Sequence, residues 1–283
     1  MTQRTASDDR ETRMQHEVHV FDNGVKVFDR HLLPDQRARY RKANVHEADE
    51  EPIFVALIEA LPEDGCFVSI GSAIGYYLIL ARKLAPRLEV HAVEPLEMHR
   101  RYFRENLELN GLDPDDFVVH ETAIASSEGH ETFLQASYGS RVVSRNRTPT
   151  LLKARLRSGA KRFLHGLGLI DNPASAHRAT KIRTITMDRL LATIGRPADL
   201  VQMDVQGLEA EILRAAGTSL EAGDVKTFLI GTHGRRVHAE CLRTLRSRGY
   251  SIEYEEEETR GQPDGIIVAS RGVTRLAMPT SNT

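Results

Sequence analysis

Two short apolar segments, each ending in a feature suited to ligand binding, constrain the fold of this chain most strongly. Residues 66–70 are apolar and lead into a turn that carries Gly71 and Gly75, after which a helical pattern begins. A second apolar run ends at Glu94, 23 positions after Gly71. Because βαβ units that bind dinucleotides place an acid about 20 residues after their glycine turn, the spacing predicts a βαβ unit with a ligand at its strand ends.

The glycine turn and Glu94 together predict a cofactor that contains a nucleoside. A glycine lets a ligand approach the backbone without meeting a Cβ atom, and a carboxylate at the next strand end can accept two hydrogen bonds from a ribose. The turn has glycines only at Gly71 and Gly75, instead of the three that seat a pyrophosphate, so a cofactor without phosphates fits better than a nicotinamide dinucleotide. The alternative is a tight turn that binds no ligand.

Strands and helices alternate from residue 66 onward, which predicts an α/β fold. The predicted strands are residues 66–70, 88–93, 117–121, 182–186, 199–203 and 225–230, and the predicted helices are residues 75–84, 96–109, 187–194, 207–216 and 235–248. Two extended runs, residues 250–254 and 265–269, close the chain as an antiparallel pair at the edge of the sheet. This alternation is typical of a mostly parallel sheet with helices on both faces.

The remaining segments do not follow this pattern. Residues 17–28 alternate around an Asn-Gly turn, which predicts a hairpin, and residues 46–61 predict a helix. We therefore divide the chain into an N-terminal extension, residues 1–45, and one domain, residues 46–283. Within that domain, residues 138–182 fit no strand–helix unit and are interpreted as an insertion.

Positive charge is concentrated in this insertion. Between Arg141 and Arg183 there are eleven lysines and arginines and a single acid, Asp171. We expect a helix near residues 150–165 and a lid over the carboxyl ends of the strands, where such folds bind ligands. A basic lid could attract an anionic or carrier-bound small molecule. Contact with the phosphates of a nucleic acid is the alternative, although Phe163 is the only aromatic residue near its middle.

The overall composition is that of a globular protein, with 40% hydrophobic and 28% charged residues and a net charge of −2. This balance does not indicate a nucleic-acid or membrane partner, and no apolar run approaches the roughly 20 residues that cross a bilayer. Residues 1–13 lack the apolar core of a signal peptide. Cys66 and Cys241 lie within apolar patterns and are expected to be reduced. We therefore expect a cytoplasmic protein, alone or as a homo-oligomer, without a bound metal.

Residues 68–77 read VSIGSAIGYY and resemble the first motif of the FkbM family, which runs close to VDVGANIGYY. This family belongs to the class I methyltransferases, which depend on S-adenosylmethionine (SAM). Ser69 stands where the family carries an aspartate that helps to hold the amino group of the cofactor, and Ala73 replaces an asparagine. The resemblance implies a Rossmann-like fold, a mostly parallel seven-stranded sheet with an antiparallel edge strand, helices on both faces, and SAM as the cofactor.

Residues 203–209 read MDVQGLE and resemble a second motif of the family, IDVEGAE, at the end of the fourth strand. The resemblance, which extends over residues 47–270, implies that Asp204 lies beside the methyl donor and that Gln206 takes the place of a glutamate. The alternatives are that Asp204 caps the following helix and that Glu209 lies in its first turn because of the helix dipole.

The two motifs and the strand ends define the predicted cofactor site. The predicted cofactor-binding residues are Ser69, Gly71, Ser72, Gly75, Glu94, Pro95, Thr122, Ala123 and Asp204. Thr122 and Ala123, which follow the third strand, would lie against the adenine ring, as in similar enzymes.

His233 follows the fifth strand, and we expect it to face the same crevice as Asp204. Methyl transfer to an alcohol needs alignment of the reactants and a base for the hydroxyl proton, and an imidazole with an ordinary pKa near 6.5 is suited to that role. We predict His233 as the base and Asp204 as the group that orients it or anchors the acceptor. The alternatives are a divalent metal shared by the two residues and a histidine that only bonds to a loop.

The resemblance implies an O-methyltransferase that acts on a hydroxyl of a small metabolite, such as a sugar or a polyketide-like intermediate of natural-product biosynthesis. The chain lacks the Asn/Asp-Pro-Pro-Tyr/Phe tetrapeptide of many amino-methylating enzymes, which favours oxygen as the acceptor atom. Two alternatives remain open: an RNA methyltransferase that uses the basic insertion, and a non-catalytic partner that lost its activity through Ser69 and Ala73.

Overall fold

The computed structural model describes residues 17–135, 141–143, 178–258 and 265–272. The helix predicted near residues 150–165 lies outside this part of the chain. The strands are β1 (Val18–Val20), β2 (Lys26–Phe28), β3 (Cys66–Ile70), β4 (Glu89–Val93), β5 (Phe117–His120), β6 (Ala123–Ile124), β7 (Gly129–Gln135), β8 (Arg141–Val143), β9 (Arg178–Ile185), β10 (Ala198–Met203), β11 (Val225–Thr232), β12 (Ser251–Glu256) and β13 (Gly265–Ser270). The α-helices are α1 (Pro34–Tyr40), α2 (Glu51–Glu59), α3 (Tyr76–Leu84), α4 (Glu97–Leu109), α5 (Met187–Ile194), α6 (Glu209–Ala215), α7 (Gly217–Ala222) and α8 (Arg235–Ser247).

Seven strands form the central sheet in the order β12-β13-β11-β10-β3-β4-β5. Neighbouring strands are parallel except at β13, which is antiparallel to both β11 and β12. The predicted fold class, a mostly parallel seven-stranded sheet with an antiparallel edge pair and helices on its faces, is therefore confirmed. The predicted strand at residues 66–70 coincides with β3.

The strand order reverses between β3 and β10, and this reversal positions the crevice. β3 pairs with β4 on one side and with β10 on the other. The last residues of the three strands lie side by side, because Ile70 pairs with both Val93 and Met203. In open α/β sheets, ligands bind outside the carboxyl ends of the strands at such a switch point.

Alternate side chains of the strands fill one core on each face of the sheet. Phe67, Leu200 and Leu229 pack on one face with residues of α2, α3 and α4. Val68 and Val201 pack on the other face with residues of α5, α6 and α8. Because both faces are covered, the central strands are mostly apolar, as is usual for parallel sheets. The packed sheet gives the strand ends a rigid support.

The N-terminal extension packs beside α4. β1 and β2 form a separate antiparallel pair. Asn106 of α4 accepts a hydrogen bond from the backbone N–H of Phe28 at 3.2 Å, and Asn110 accepts one from Lys26 at 3.0 Å. α1 follows this pair and begins at Pro34, whose fixed φ suits the first position of a helix. The sequence pattern did not predict α1.

Several element boundaries differ from the prediction. The helix expected over residues 46–61 begins at Glu51. α6 begins at Glu209 with Leu208 as its N-cap, so the alternative that Asp204 caps this helix is wrong. A further short helix, α7, follows α6 directly. β6, β7, β8 and β9 form a second, four-stranded sheet in the order β6-β9-β7-β8.

Both cysteines are buried and free, as the sequence predicts. Burial raises the pKa of the Cys66 thiol to about 12 and that of the Cys241 thiol to about 12. Both thiols are therefore protonated at ordinary pH. Over the described ranges, the helices are too short or too polar to cross a membrane.

Candidate active site

A cleft of about 310 Å³ opens where β3, β4 and β10 end. Eight of the nine predicted cofactor-binding residues line it: Ser69, Gly71, Ser72, Glu94, Pro95, Thr122, Ala123 and Asp204. Neither Gly75 nor His233 is among the described residues that line the cleft. The structure thus brings all of the predicted cofactor-binding residues except Gly75 to one place.

The packing of the fold explains both glycines of the turn. Gly71 has a φ of +90°, and a Cβ atom there would overlap the backbone carbonyl oxygen of Asp204. Gly75, with a φ of +83°, begins α3, and a Cβ atom there would overlap the ring of Phe103 on α4. These glycines are needed for the close approach of neighbouring elements, whether or not a ligand is bound.

Glu94 holds the glycine turn as well as lining the cleft. Its Oε2 accepts a hydrogen bond from the backbone N–H of Ala73 at 3.0 Å, and its Oε1 accepts one from Leu96 at 2.8 Å. Nδ1 of His99 lies 3.3 Å from the same Oε1. A carboxylate has about four lone-pair sites, so Oε2 can accept a further bond from a hydroxyl. The residue therefore fits the ribose of an adenosyl cofactor.

Ser69 begins a chain of buried hydrogen bonds under the cleft. Its hydroxyl donates to Oε1 of Gln202 at 3.2 Å, and the amide nitrogen of Gln202 donates to Oε1 of Glu50 at 3.0 Å. All three side chains are buried. A serine at this position therefore fixes the Gln202 amide, which lines the cleft, and the hydrogen-bond chain ends at the carboxylate of Glu50. The motif comparison alone did not indicate Gln202 or Glu50.

His233 makes polar contacts with three residues that follow β10. Its Nδ1 lies 2.9 Å from Oε1 of Glu209, whose side chain has no exposed surface. Its Nε2 lies 2.8 Å from the amide nitrogen of Gln206 and 3.5 Å from Oδ1 of Asp204. Oε1 of Glu209 also accepts a hydrogen bond from the backbone N–H of Gly207 at 3.0 Å. The structure thus places the two predicted catalytic residues together and adds Glu209 and Gln206 to them.

Asp204, Glu209 and His233 are also of the types that bind divalent metals, and their ligand atoms lie within 4.8 Å of one another. The two carboxylates, however, face different ring nitrogens of His233. A histidine binds a metal through one nitrogen, so a metal on either nitrogen would leave one of these carboxylates at the other. The geometry favours a hydrogen-bonded base over a metal centre.

The N-terminal extension and the segment before α2 supply another wall of the cleft. Gln36 and Arg39 of α1 line it, as do His46 and Glu47. Motif reasoning missed the two residues of α1. Pro34, at the first position of that helix, is the sequence signal that could have revealed it.

Burial alters the charges on this wall. Burial, reinforced by the positive charge of Arg39, lowers the pKa of His46 to about 3. Nδ1 of the neutral imidazole forms a hydrogen bond of 2.6 Å with the hydroxyl of Tyr40. Burial also raises the pKa of Glu47, whose carboxyl accepts a hydrogen bond from the hydroxyl of Tyr77 at 3.1 Å. His46 is therefore neutral at ordinary pH, and the protonated form of Glu47 is favoured relative to an exposed carboxyl.

The strand order, the cleft at the switch point, the glycine turn after β3 and the acid after β4 define a class I, Rossmann-like methyltransferase fold. A SAM-type cofactor goes with this class. The chain belongs to the FkbM methyltransferase family, because its residues 69–252 match the family described as Methyltransferase FkbM domain. The resemblance inferred from the two motifs is thereby confirmed.

The chain is also similar to several known proteins. A protein of Jannaschia sp. (strain CCS1), provisionally named as a methyltransferase, is 22% identical over 222 residues, which are 75% of this chain and 72% of that protein. The AMB antimetabolite synthetase AmbE of Pseudomonas aeruginosa is 26% identical over 216 residues, 70% of this chain but only 10% of its own length. The methyltransferase FkbM structure from Methylobacillus flagellatus KT aligns with a TM-score of 0.48 and 14% identity, over 75% of this chain and 47% of that one.

Proposed function

We propose that this protein transfers a methyl group from SAM to a hydroxyl of a small metabolite, such as a natural-product intermediate, with His233 as the base. The observation that carries the proposal is the contact of His233, which follows β11, with Glu209, which begins α6, next to the cleft wall that contains Asp204. A buried carboxylate at Nδ1 orients the imidazole so that Nε2 is the nitrogen that accepts a proton.

The walls of the cleft described above would hold the cofactor. Glu94 would accept hydrogen bonds from the ribose, and Thr122 and Ala123 would lie against the adenine. Bound SAM supplies the methyl group on a sulfonium sulfur and leaves as S-adenosylhomocysteine. The absence of a Cβ atom at Gly71 leaves room for the backbone of Asp204, so the two walls lie close together.

The side chains at the end of β10 would handle the acceptor and its proton. His233 takes the hydroxyl proton at Nε2 and later releases it to solvent. Glu209, which has no exposed surface, stabilises the imidazolium through Nδ1–H. Asp204, whose side chain is 41% exposed, lines the cleft and anchors the acceptor by accepting a hydrogen bond from another of its polar groups.

The cleft supports a small and polar acceptor. Its volume of about 310 Å³ lies at the small end of ligand pockets. Arg39 and Gln36 offer hydrogen-bond donors on the wall formed by α1, which would suit an anionic or carrier-bound acceptor. The two free, buried cysteines are compatible with a reducing compartment, and we place the reaction in the cytoplasm.

Calorimetric titration of the full chain with SAM tests the cofactor part of the proposal. We expect saturable binding that weakens about tenfold in Glu94→Gln, since the loss of a charge-assisted hydrogen bond is worth roughly 1.5 kcal/mol. Glu97→Gln, a change at an exposed residue in the first turn of α4, is the matched control. If the wild-type protein gives no heat and no thermal stabilisation with SAM, the proposal fails.

Transfer of a radiolabelled methyl group to a panel of hydroxylated metabolites tests the reaction. We expect His233→Ala and Asp204→Ala each to abolish turnover, and His233→Ala to retain SAM binding. His130→Ala, at an exposed histidine of β7, serves as the control. Full activity in both site variants would contradict the assigned roles.

A further inference from the structure

Gln206 contacts both predicted catalytic residues through one atom. Its amide nitrogen lies 2.8 Å from Nε2 of His233 and 3.1 Å from Oδ1 of Asp204. An ionised carboxylate only accepts hydrogen bonds, so the atom that faces Asp204 is the NH₂ group and not the carbonyl oxygen. The second hydrogen of this NH₂ group is donated to His233. Nε2 of His233 is therefore an acceptor and carries no proton.

The other ring nitrogen of His233 carries the proton instead. Nδ1 lies 2.9 Å from Oε1 of Glu209, which is an acceptor. These contacts fit a neutral imidazole with its proton at Nδ1 and its lone pair at Nε2. This is the form that a general base needs.

The charged groups around His233 favour the protonated imidazolium instead. Asp204 lies 3.5 Å from Nε2 and Glu209 lies 2.9 Å from Nδ1. His233 also acts on the titration of Glu47, which precedes α2. Carboxylates from these three parts of the chain raise the pKa of a histidine and favour an imidazolium, which cannot accept a proton. A hydrogen bond donated to the neutral ring has the reverse effect.

We infer that Gln206 is a positioning residue that keeps His233 unprotonated at Nε2 until an acceptor hydroxyl replaces the amide there; this inference rests on the proposed function. Gln206 lines the cleft, whereas His233 is not among the described residues that do. The amide therefore stands between the base and the cleft. An acceptor hydroxyl that reaches Nε2 takes over the donor position that the amide held.

The backbone holds Gln206 in this position. Its φ is +60°, a left-handed conformation that is uncommon for a residue with a side chain. The N–H groups of its two neighbours, Val205 and Gly207, both donate to Oε1 of Glu209, at 3.4 and 3.0 Å. One carboxylate therefore fixes both the imidazole and the loop that carries the amide.

Titration of His233 by NMR in the full chain, labelled with ¹⁵N at histidine, tests the inference without any need for turnover. The His233 signals are assigned by their loss in His233→Gln. In Gln206→Met, which has a similar shape but no donor, we expect the pKa of His233 to rise by about one unit. In Gln206→Glu, which adds a negative charge at Nε2, we expect a larger rise, about 1–3 units. Gln36→Met, which alters another glutamine of the cleft wall, should leave the His233 titration unchanged.

The pH midpoint of kcat/KM should follow the pKa of His233. It should be lowest in the wild type, higher in Gln206→Met and highest in Gln206→Glu. The unchanged signals of the other histidines verify that each variant is folded. A His233 titration that does not move in either variant, or that moves to lower pH, overturns the inference. Because the NMR readout is independent of SAM, an absence of methyl transfer would refute the proposed function and leave the titration to decide the role of Gln206.

Discussion

The carboxylate of Glu94 accepts a hydrogen bond from the backbone N–H of Ala73 at 3.0 Å, so the acid that ends β4 holds the turn that follows β3. Ala73 has a φ of +46°, in the left-handed region. This conformation costs an ordinary residue about 1–2 kcal/mol, whereas asparagine adopts it more readily. The bond from Glu94 helps to keep Ala73 in a conformation that its side chain disfavours.

Replacing Ala73 by asparagine should therefore stabilise the protein. We expect Ala73→Asn to raise the free energy of unfolding by about 1 kcal/mol, because the substitution removes much of the left-handed strain. Denaturant unfolding followed by circular dichroism measures the effect. Ala85→Asn, at a residue with a φ of −134°, is the control and should bring no gain. Equal effects at both positions would contradict the explanation by strain.

Gly75 and Gly195 have nearly equal φ angles, but their replacement by alanine should destabilise the protein to different extents. Gly195 has a φ of +78° and open space at its Cα, so Gly195→Ala should cost about 1–2 kcal/mol of backbone strain. In Gly75→Ala the new methyl group would also overlap the ring of Phe103, which adds roughly 1–3 kcal/mol. Unfolding midpoints of the two variants measure this difference.

A second substitution separates packing from strain at Gly75. In the Gly75→Ala background, Phe103→Leu removes part of the ring that the methyl group would overlap. We expect this double variant to recover part of the lost stability, although Phe103→Leu alone should destabilise the wild-type protein. Additive losses in the double variant would show that the two residues are not coupled.

The central sheet could be predicted from local patterns in the sequence. Segments of five or six mostly apolar residues form β3 and β10, and Gly71 marks the point where β3 ends. These signals are local, because a strand buried on both faces must be apolar and a close backbone approach requires a glycine. The position of Glu94 after β4 followed from the same reasoning. The hydrogen bond between Ala73 and Glu94 could not be predicted in this way, because it depends on how the turn folds back.

The contact between Glu209 and His233 could not be predicted in the same way. The two residues are 24 positions apart, and they meet because Met203 pairs with Ile230 where β10 and β11 lie side by side. Sequence periodicity does not define this register. Glu209 also had a sufficient local explanation, the favourable first turn of a helix. Because the helix dipole already accounts for an acid at this position, nothing in the sequence indicated a tertiary contact of Glu209.

Neutralising Glu209 should impair catalysis without weakening cofactor binding. Glu209→Gln keeps an acceptor for Nδ1–H of His233 and for the backbone N–H of Gly207, but it removes the charge that stabilises the imidazolium. We expect kcat to fall by about 10²–10⁴-fold, the usual contribution of a general base. Glu211→Gln is the control, because Glu211 lies on the same helix and bonds to Ser126 instead. A similar loss in both variants would indicate damage to α6.

His46 should make the protein less stable in acid. Its pKa is about 3 in the folded protein against 6.5 ordinarily, because burial and Arg39 disfavour the charged ring. Between these values the unfolded chain binds more protons than the folded one, so the stability contributed by neutral His46 is complete above pH 6.5 and is lost as the pH falls towards 3. Unfolding free energies measured between pH 7.5 and pH 5 should therefore decrease.

A variant that cannot titrate isolates this contribution of His46. Asparagine can still form a hydrogen bond with the hydroxyl of Tyr40 but cannot take up a proton. His46→Asn should therefore lose less stability in acid than the wild type. The gap in unfolding free energy between wild type and His46→Asn should then change steadily in favour of the variant from pH 7.5 to pH 5. His130→Asn, at an exposed histidine, should instead follow the wild-type curve. If the His46→Asn curve also runs parallel to the wild type over this range, the ring of His46 is not kept neutral by the fold.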